Sequence, residues 1–563
     1  MTPPAPSALA AVPRLLLFAL SSAAALGIGF LLVTPPQSEW LIRQGGYYYM
    51  LALFAGFVAC VLRIARPRRE VWQGWLRDTY QHKVLFDEYV LQATGFHLHA
   101  TKEVGTVIRA YQFDGTWLPI DTYLDKRPYF FTFLLSLVHD LTGYRIANIF
   151  VLNSLLAAGF LGLTYWFARQ LTGRAGGLLA VTLLATMPLL GQNATGAGME
   201  MHNLTMLALV MCLALLYLRA PDADRLVGLC LGAVLLAQSR YESAIYVLPV
   251  AAVVLAGWWR ARAVLLPWGA VLTPLLLVPC AWHNRVLTAT PRLWQLAEGQ
   301  TSRFSFDYLR VNLAGAVHFL FNFGNTLANS WYLSVLGVAG LAWGLWTAGR
   351  WLRTRTPVAP AVLVTVLFGL GVAGNFVLVQ FYYWSRLDDI VTSRFALPLT
   401  LLLALLAAAG VERLNRRWPV LLLVSGLPAI AYRLYTTQNL VMKEIDWERE
   451  FVLARPPGPR LFLSNKSSIP WVLWQLPALD LPAARLRGSQ LRYHLAQGTF
   501  QEILVAQSLR PTTPNGDFGV DPDDQLPEGF RLELLAEKRF GGRTERLSRL
   551  VAVEPAPAAA PGS

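Results

Sequence analysis

The chain has 563 residues, 55% of them hydrophobic and 15% charged, with a formal net charge of +14. Soluble domains average about 25% charged residues, so this composition excludes an ordinary water-soluble enzyme. Set among long apolar runs, the excess of Lys and Arg reads as the basic loops of a polytopic membrane protein, and nucleic acid is not an expected partner.

Windows of roughly twenty apolar residues, the length that crosses hydrocarbon, predict spans at about 13–33, 46–65, 146–167, 175–190, 203–219, 226–238, 242–257, 263–282, 329–348, 358–382, 395–411 and 418–434. The 226–238 window is short for a crossing. Residues 128–141, "PYFFTFLLSLVHDL", are shorter still and amphipathic, and read as an interfacial or re-entrant helix. The four cysteines, Cys60, Cys212, Cys230 and Cys280, all fall inside apolar runs without a CxxC pair and read as small core residues.

If the spans from 146 onward alternate, the loops with Arg169/Arg174, Arg219/Arg225, Arg260/Arg262, Arg350/Arg353/Arg355 and Arg413/Arg416/Arg417 share one side. The positive-inside rule makes that side cytoplasmic. A first large outer loop (about 66–145), the segment 283–328 and the tail after 434 then face outward. Arg63, Arg66, Arg68 and Arg69 resist this scheme, because the same parity places them outside; either the N-terminus is itself outside or one of the first two apolar segments does not cross, and the N-terminal topology is open. Beyond about 434 the apolar alternation turns short-range ("RLFLS", "EILVAQS", "FRLELLAEKRF", "RLSRLVAVE") around a helical "AARLRGSQLRYHLAQ". This predicts a membrane domain over 1–434, a small α/β domain over 435–555 and a disordered tail, 556–563.

Chemistry concentrates in the outer loops. Asp87 and Glu88, in "HKVLFDEYVLQ", sit between apolar and aromatic neighbours, where a carboxylate is costly to desolvate unless it binds a proton, a cation or a polar substrate. Burial of that kind is expected to raise the Asp87 pKa toward working pH, as a general base requires. Asp114 and Asp125 read as ordinary surface charges of the same loop. Arginines are scarce on the outer side, yet Arg240, Arg386 and Arg394 stand at outer span ends, and guanidinium groups suit bidentate phosphate recognition. In "FHLHATKE", His97 and His99 on a helix point about 200° apart, which argues against a metal pair.

The order of these features resembles the GT-C superfamily of integral-membrane glycosyltransferases, in particular its protein O-mannosyltransferase and aminoarabinose transferase branch. The features are an Asp–Glu pair opening the first large loop, "DKRPYFFTFLLSLVHDLTG", a span ending in "YWFARQLTGR", and a following span entered through "GAGMEMHN". The similarity covers roughly residues 80–435, and the tail resembles that branch's extracytoplasmic domain. It implies a mainly α, polytopic bundle of about 11–13 spans. It implies a polyprenyl-phosphate sugar donor, and inverting displacement at the outer face of what is expected to be a bacterial inner membrane. Asp87 maps onto the acceptor-activating carboxylate, with Glu88 as neighbour. Lys126 and Arg127 map onto the basic position against the lipid phosphate, joined by Arg240, Arg386 and Arg394. Glu200 stands where the family has Asp, with Asp121 the other candidate for a second carboxylate. That branch works without a metal, so no cofactor is expected. The acceptor, whether lipid, glycan or protein, is open. A flippase or a polysaccharide polymerase or ligase handling a lipid-linked sugar is the alternative; the arginines of the 283–328 loop keep the latter in play, whereas a transporter would be expected to carry its ionisable groups near the bilayer midplane.

Overall fold

The computed structural model describes residues 8–31, 33–64, 82, 87–113, 116–289, 300, 302–324, 326–354, 358–414, 443–511, 518–520, 524–527 and 529–554. Eight helices among these are long and apolar enough to cross a membrane. They come from α1 (Ala8–Leu26, extended by a π turn to Leu31), α2 (Pro35–Ile64), α5 (Asn148–Ala185), α7 (Glu200–Arg219), α9 (Val247–Ala261), α13 (Trp331–Thr354), α14 (Pro360–Gln380) and α15 (Leu397–Leu414). The protein is an integral, multi-pass membrane protein.

Several expected spans take other forms. The windows at 146–167 and 175–190 fuse into α5, folded back at Gly173, whose φ of 85° only glycine adopts freely and whose Cβ, if present, would stand 3.0 Å from Glu412 Oε1. The 226–238 window is α8 (Ala223–Ala237), 15 residues or about 22 Å of helix. Asp222 caps its start by accepting the Arg225 N–H at 2.8 Å. The 263–282 window breaks into α10 (Trp268–Val271), a 3₁₀ stretch and α11 (Val278–Ala289), as Pro267 and Pro274 dictate. The 418–434 window lies outside the described residues.

Side-chain pairs settle how α2 runs. Tyr49 OH accepts from Gln238 Nε2 at 2.7 Å, Phe57 packs on Gly232, and Cys60 and Arg63 sit near Asp224, so α2 is antiparallel to α8. Arg14, early in α1, donates to the Leu266 carbonyl. Arg63 therefore stands at the same end of the bundle as Arg219, Arg225, Arg260 and Arg262, which corrects the parity reading that put it at the other end. Both N-terminal helices are long and apolar enough to cross a membrane, and Arg66, Arg68 and Arg69 lie outside the described residues.

The opposite end carries the first large loop. It contains α3 (Asp87–Thr101), a hairpin of β1 (Thr106–Phe113) and β2 (Thr116–Tyr123), and the amphipathic α4 (Phe130–Thr142). The hairpin was not legible in the apolar pattern. Helix α4 buries Phe130, Phe131, Phe133 and Leu135 and leaves Leu141 exposed, as an interfacial helix does. Between α5 and α7 lies the short α6 (Pro188–Ala194), and α12 (Leu309–Leu320) precedes α13.

The C-terminal segment is a small α/β unit. It contains α16 (Lys443–Leu453), β3 (Arg460–Ser464), α17 (Ile469–Leu473), β4 (Ala478–Asp480), α18 (Leu481–Arg485), α19 (Gly488–Gln497), β5 (Glu502–Pro511), β6 (Phe518–Gly519), β7 (Phe530–Phe540) and β8 (Arg543–Val553). The sheet order is β4-β3-β5-β8-β7, with β3 parallel to both neighbours and β8 antiparallel to both of its own. Tyr89, Val90, Ala93 and Phe96 of α3 share one apolar core with Ile469, Trp471, Val472 and Leu473 of α17, and Trp471 stacks on Phe462 at 4.1 Å. Ser468 donates to the Ile108 carbonyl at 2.5 Å and Tyr144 to that of Leu473 at 2.7 Å. Helix α3 is thus wedged between the bundle and the sheet.

Candidate active site

Asp87 opens α3, where a carboxylate suits the exposed N–H groups of the first helical turn. One face of α3 is held by α17; Leu91, on another, packs with Phe131 and Leu135 of α4. The carboxyl group is therefore aimed by two packed surfaces. One oxygen pairs with Arg127 Nη2 and the other with Arg394 Nη2.

Arg127 comes from the turn between β2 and α4. Asp125 accepts its Nη1 with both oxygens at 2.7 Å and its backbone N–H at 3.0 Å, while His283 Nε2 donates to the Asp125 carbonyl at 2.8 Å. Arg394 lies in the 3₁₀ turn entering α15. Its Nη1 is 3.1 Å from Glu200 Oε1, at the start of α7, and the same oxygen accepts Arg240 Nη1 at 2.9 Å. Arg240 pairs in turn with Glu242, and the Phe395 ring lies 5.2 Å from Arg240 Cζ and 5.8 Å from Arg394 Cζ. The result is an alternating chain, Asp125–Arg127–Asp87–Arg394–Glu200–Arg240–Glu242, largely buried, with Asp87 and Glu242 keeping 19% and 14% of their side-chain surface.

The charge state of Asp87 departs from the expectation. Burial alone would raise its carboxyl pKa, but the Arg127 and Arg394 guanidinium groups outweigh it and hold the group well below the usual carboxylate range. Arg127 is shifted upward by Asp125 and Asp87 against burial, and Lys126 is shifted downward by burial and by Arg127.

Of the other residues singled out in the sequence, Lys126 lines a crevice of about 340 Å³ with Tyr129, Tyr241, His283 and Asn284. Glu88 is buried and turned toward the 196–198 loop, where a Cβ on Gly196 would stand 2.8 Å from Glu88 Oε1. Asn153 fastens that loop by donating to the Gly196 and Gly198 carbonyls, both at 2.8 Å. Asp121 and Arg386 are not brought into the chain: Asp121 pairs with Arg109 on the hairpin at 2.6 Å, and Arg386 with Asp388 at 3.0 Å on an exposed turn. Asp125 and Glu242 were missed as members. Their signal lay two positions from Arg127 and Arg240, close enough for a local carboxylate to orient each guanidinium. His97 and His99 lie on α3 as a helix requires; His97 is buried and His99 Nδ1 is 2.6 Å from Asp140 Oδ1. Among the described residues no three His, Cys, Asp or Glu side chains gather as a metal set.

A second crevice of about 270 Å³ lies beneath the chain, lined by Glu200, Asn203, Arg240, Glu242, Asn375 and Arg394. Buried carboxylates and guanidiniums in one alternating array can orient a polar substrate, accept a proton at Asp87 and neutralise a departing anion.

Residues 126–283 match the family model of dolichyl-phosphate-mannose-protein mannosyltransferases. The fold is similar to that of ArnT from Cupriavidus metallidurans in the apo state, at 15% identity and a TM-score of 0.51, over 88% of this chain and 98% of that one. The same protein bound to undecaprenyl phosphate matches at 14% identity and 0.51, over 89% and 97%. An Archaeoglobus fulgidus oligosaccharyltransferase, solved with zinc and sulfate, matches at 11% identity and 0.43, over 84% and 72%. No curated protein sequence matches the chain.

Proposed function

On the premise that this chain is a membrane glycosyltransferase of the GT-C fold, we propose that it moves a sugar from a polyprenyl-phosphate donor to an acceptor hydroxyl or amine by inverting displacement. The observation that carries the reading is the Asp87 carboxylate held between Arg127 and Arg394 at the end of the bundle that carries the first large loop. Asp87 takes the acceptor proton as the acceptor atom bonds to the anomeric carbon. The C–O bond pair leaves with the phosphate, which passes from a monoanionic diester to a dianionic monoester. That gain of charge needs fixed cations, and Arg127, Arg394 and the nearby Lys126 are the candidates. The undecaprenyl phosphate bound by the similarly folded ArnT supports a lipid phosphate as the donor's carrier.

Asp125, Glu200, Arg240 and Glu242 act as positioning residues in this scheme. The arginines provide the positive charge the leaving group needs, so the reaction is proposed to run without a divalent metal and to survive EDTA. Arginine-rich loops at the far end support a cytoplasmic assignment for that end and an external site, with the C-terminal α/β unit facing the same way.

The test reconstitutes the purified protein with radiolabelled polyprenyl-phosphate sugars and compares wild type with Asp87→Asn. Transfer is expected from wild type and not from the variant; equal transfer from both sinks the assignment. Orientation is read by labelling Asp121→Cys, on the half-exposed hairpin, with an impermeant thiol reagent. Labelling from the cytoplasmic side alone would overturn the external site.

A further inference from the structure

Each guanidinium beside Asp87 is held twice. Arg127 gives one arm to Asp125 and the other to Asp87; Arg394 gives one arm to Glu200 and the other to Asp87. The outer anchors are themselves fastened. The Asp125 carbonyl accepts from His283, and Glu200 is held by Arg240, which is paired with Glu242. Withdrawing Asp87 would leave both arginines in place, each with one free arm facing the same space. Two such arms are what a phosphate takes.

Charge favours the exchange. The chain holds four carboxylates and three guanidiniums, and Lys126, which interacts with Arg127, Asp125, Asp87 and Arg394, balances the fourth acid. A phosphate added with every ion pair kept would place a further anion in a largely buried site without a cation to meet it, which desolvation disfavours. The group with the least to lose is Asp87: its side chain keeps 19% of its surface, more than any other member of the array, and its ion pairs within the array are these two arms.

We propose that Asp87 is a built-in stand-in for the donor phosphate: it closes the Arg127–Arg394 clamp in the empty enzyme and is displaced when the phosphate binds. The same event frees the carboxylate to take the acceptor's proton, so donor binding precedes acceptor activation. A carboxylate facing two guanidiniums is a poor base, and one released from them is a better one. This rests on the reading of the site as one for a polyprenyl phosphate.

The experiment measures binding of undecaprenyl phosphate to the full chain in detergent micelles, for wild type and Asp87→Asn. Removing the competing charge is expected to tighten binding by about tenfold or more, although the variant transfers no sugar. Equal or weaker binding by a variant that melts as wild type does overturns the proposal. If wild type transfers sugar and binding is equal, the exchange alone is wrong; if wild type neither binds nor transfers, the functional reading falls with it. A second measurement needs no variant. Undecaprenyl phosphate is expected to raise carbodiimide labelling of Asp87 in the wild-type protein, read by peptide mass spectrometry; unchanged or reduced labelling overturns the exchange.

Discussion

Asp87 and Arg394 are separated by 307 positions in the chain and share an ion pair at the mouth of the buried charge array. The pair joins the first loop to the entrance of α15, so a change at either end is read at the other.

Asp87→Asn keeps the shape of the side chain and removes the proton acceptor. Transfer is expected to fall by about 10²–10⁴-fold, with the protein still folded by thermal melting. Asp87→Glu restores the charge at a displaced position and should recover part of the rate.

Arg394→Gln leaves Glu200 and Asp87 buried with a charge removed between them, a situation that costs about 3–5 kcal/mol. Lower thermal stability is expected together with loss of transfer. Arg394→Lys keeps the charge but cannot reach both carboxylates at once. It should fold and show a raised KM for the lipid donor, measured by transfer at varied donor concentration.

Gly198→Ala tests the loop that backs the site. A Cβ there would collide with Glu200 Oε2, and Asn153 gives the loop little freedom to retreat. Displacing Glu200 disturbs Arg394 in turn, and a loss of about tenfold or more in rate is expected. Asp121→Asn and Arg386→Gln, whose ion pairs lie apart from the array, should stay within about twofold of wild type in the same assay.

Glu448, on α16, gives a pH dependence away from the site. Burial, opposed by Lys466 and aided by Glu545, pushes its carboxyl up to about 7. The folded state then holds this proton at higher pH than the unfolded chain. Stability contributed by the group is full below the ordinary Glu range, falls as pH rises toward 7 and is level above it. Glu448→Gln removes that fall. The variant's 443–553 unit should gain on the order of 2 kcal/mol over wild type at pH 8 and little near pH 5, measured by hydrogen-exchange protection.

Much of this was legible in one dimension. Apolar length marked the crossings, because a bilayer demands a run of greasy residues whatever the tertiary packing. Short apolar stretches set off from the long spanning runs marked the strands of the C-terminal unit, although β3 is buried along its length and β7 is largely exposed. The β1–β2 hairpin escaped because "TVIRAYQF" and "TWLPIDTY" do not alternate cleanly, and a bulge shifts their register near Arg109. The side of Arg63 also escaped, since a parity count cannot see which helix α2 packs against.

What the sequence determined by itself was the class of molecule and the kinds of group at its chemistry: a membrane bundle, an acid pair in the first loop, arginines where the positive-inside rule makes them rare. These follow from solvation, which acts on each segment alone. Which acids meet which arginines was decided only by the tertiary structure. Asp87, Arg127, Glu200, Arg240 and Arg394 come from five separate places in the chain, and Coulomb pairing depends on distances of a few ångströms that no local pattern encodes. The direction of the Asp87 shift was settled in the same way: burial pointed one way, and two guanidiniums delivered by the fold reversed it.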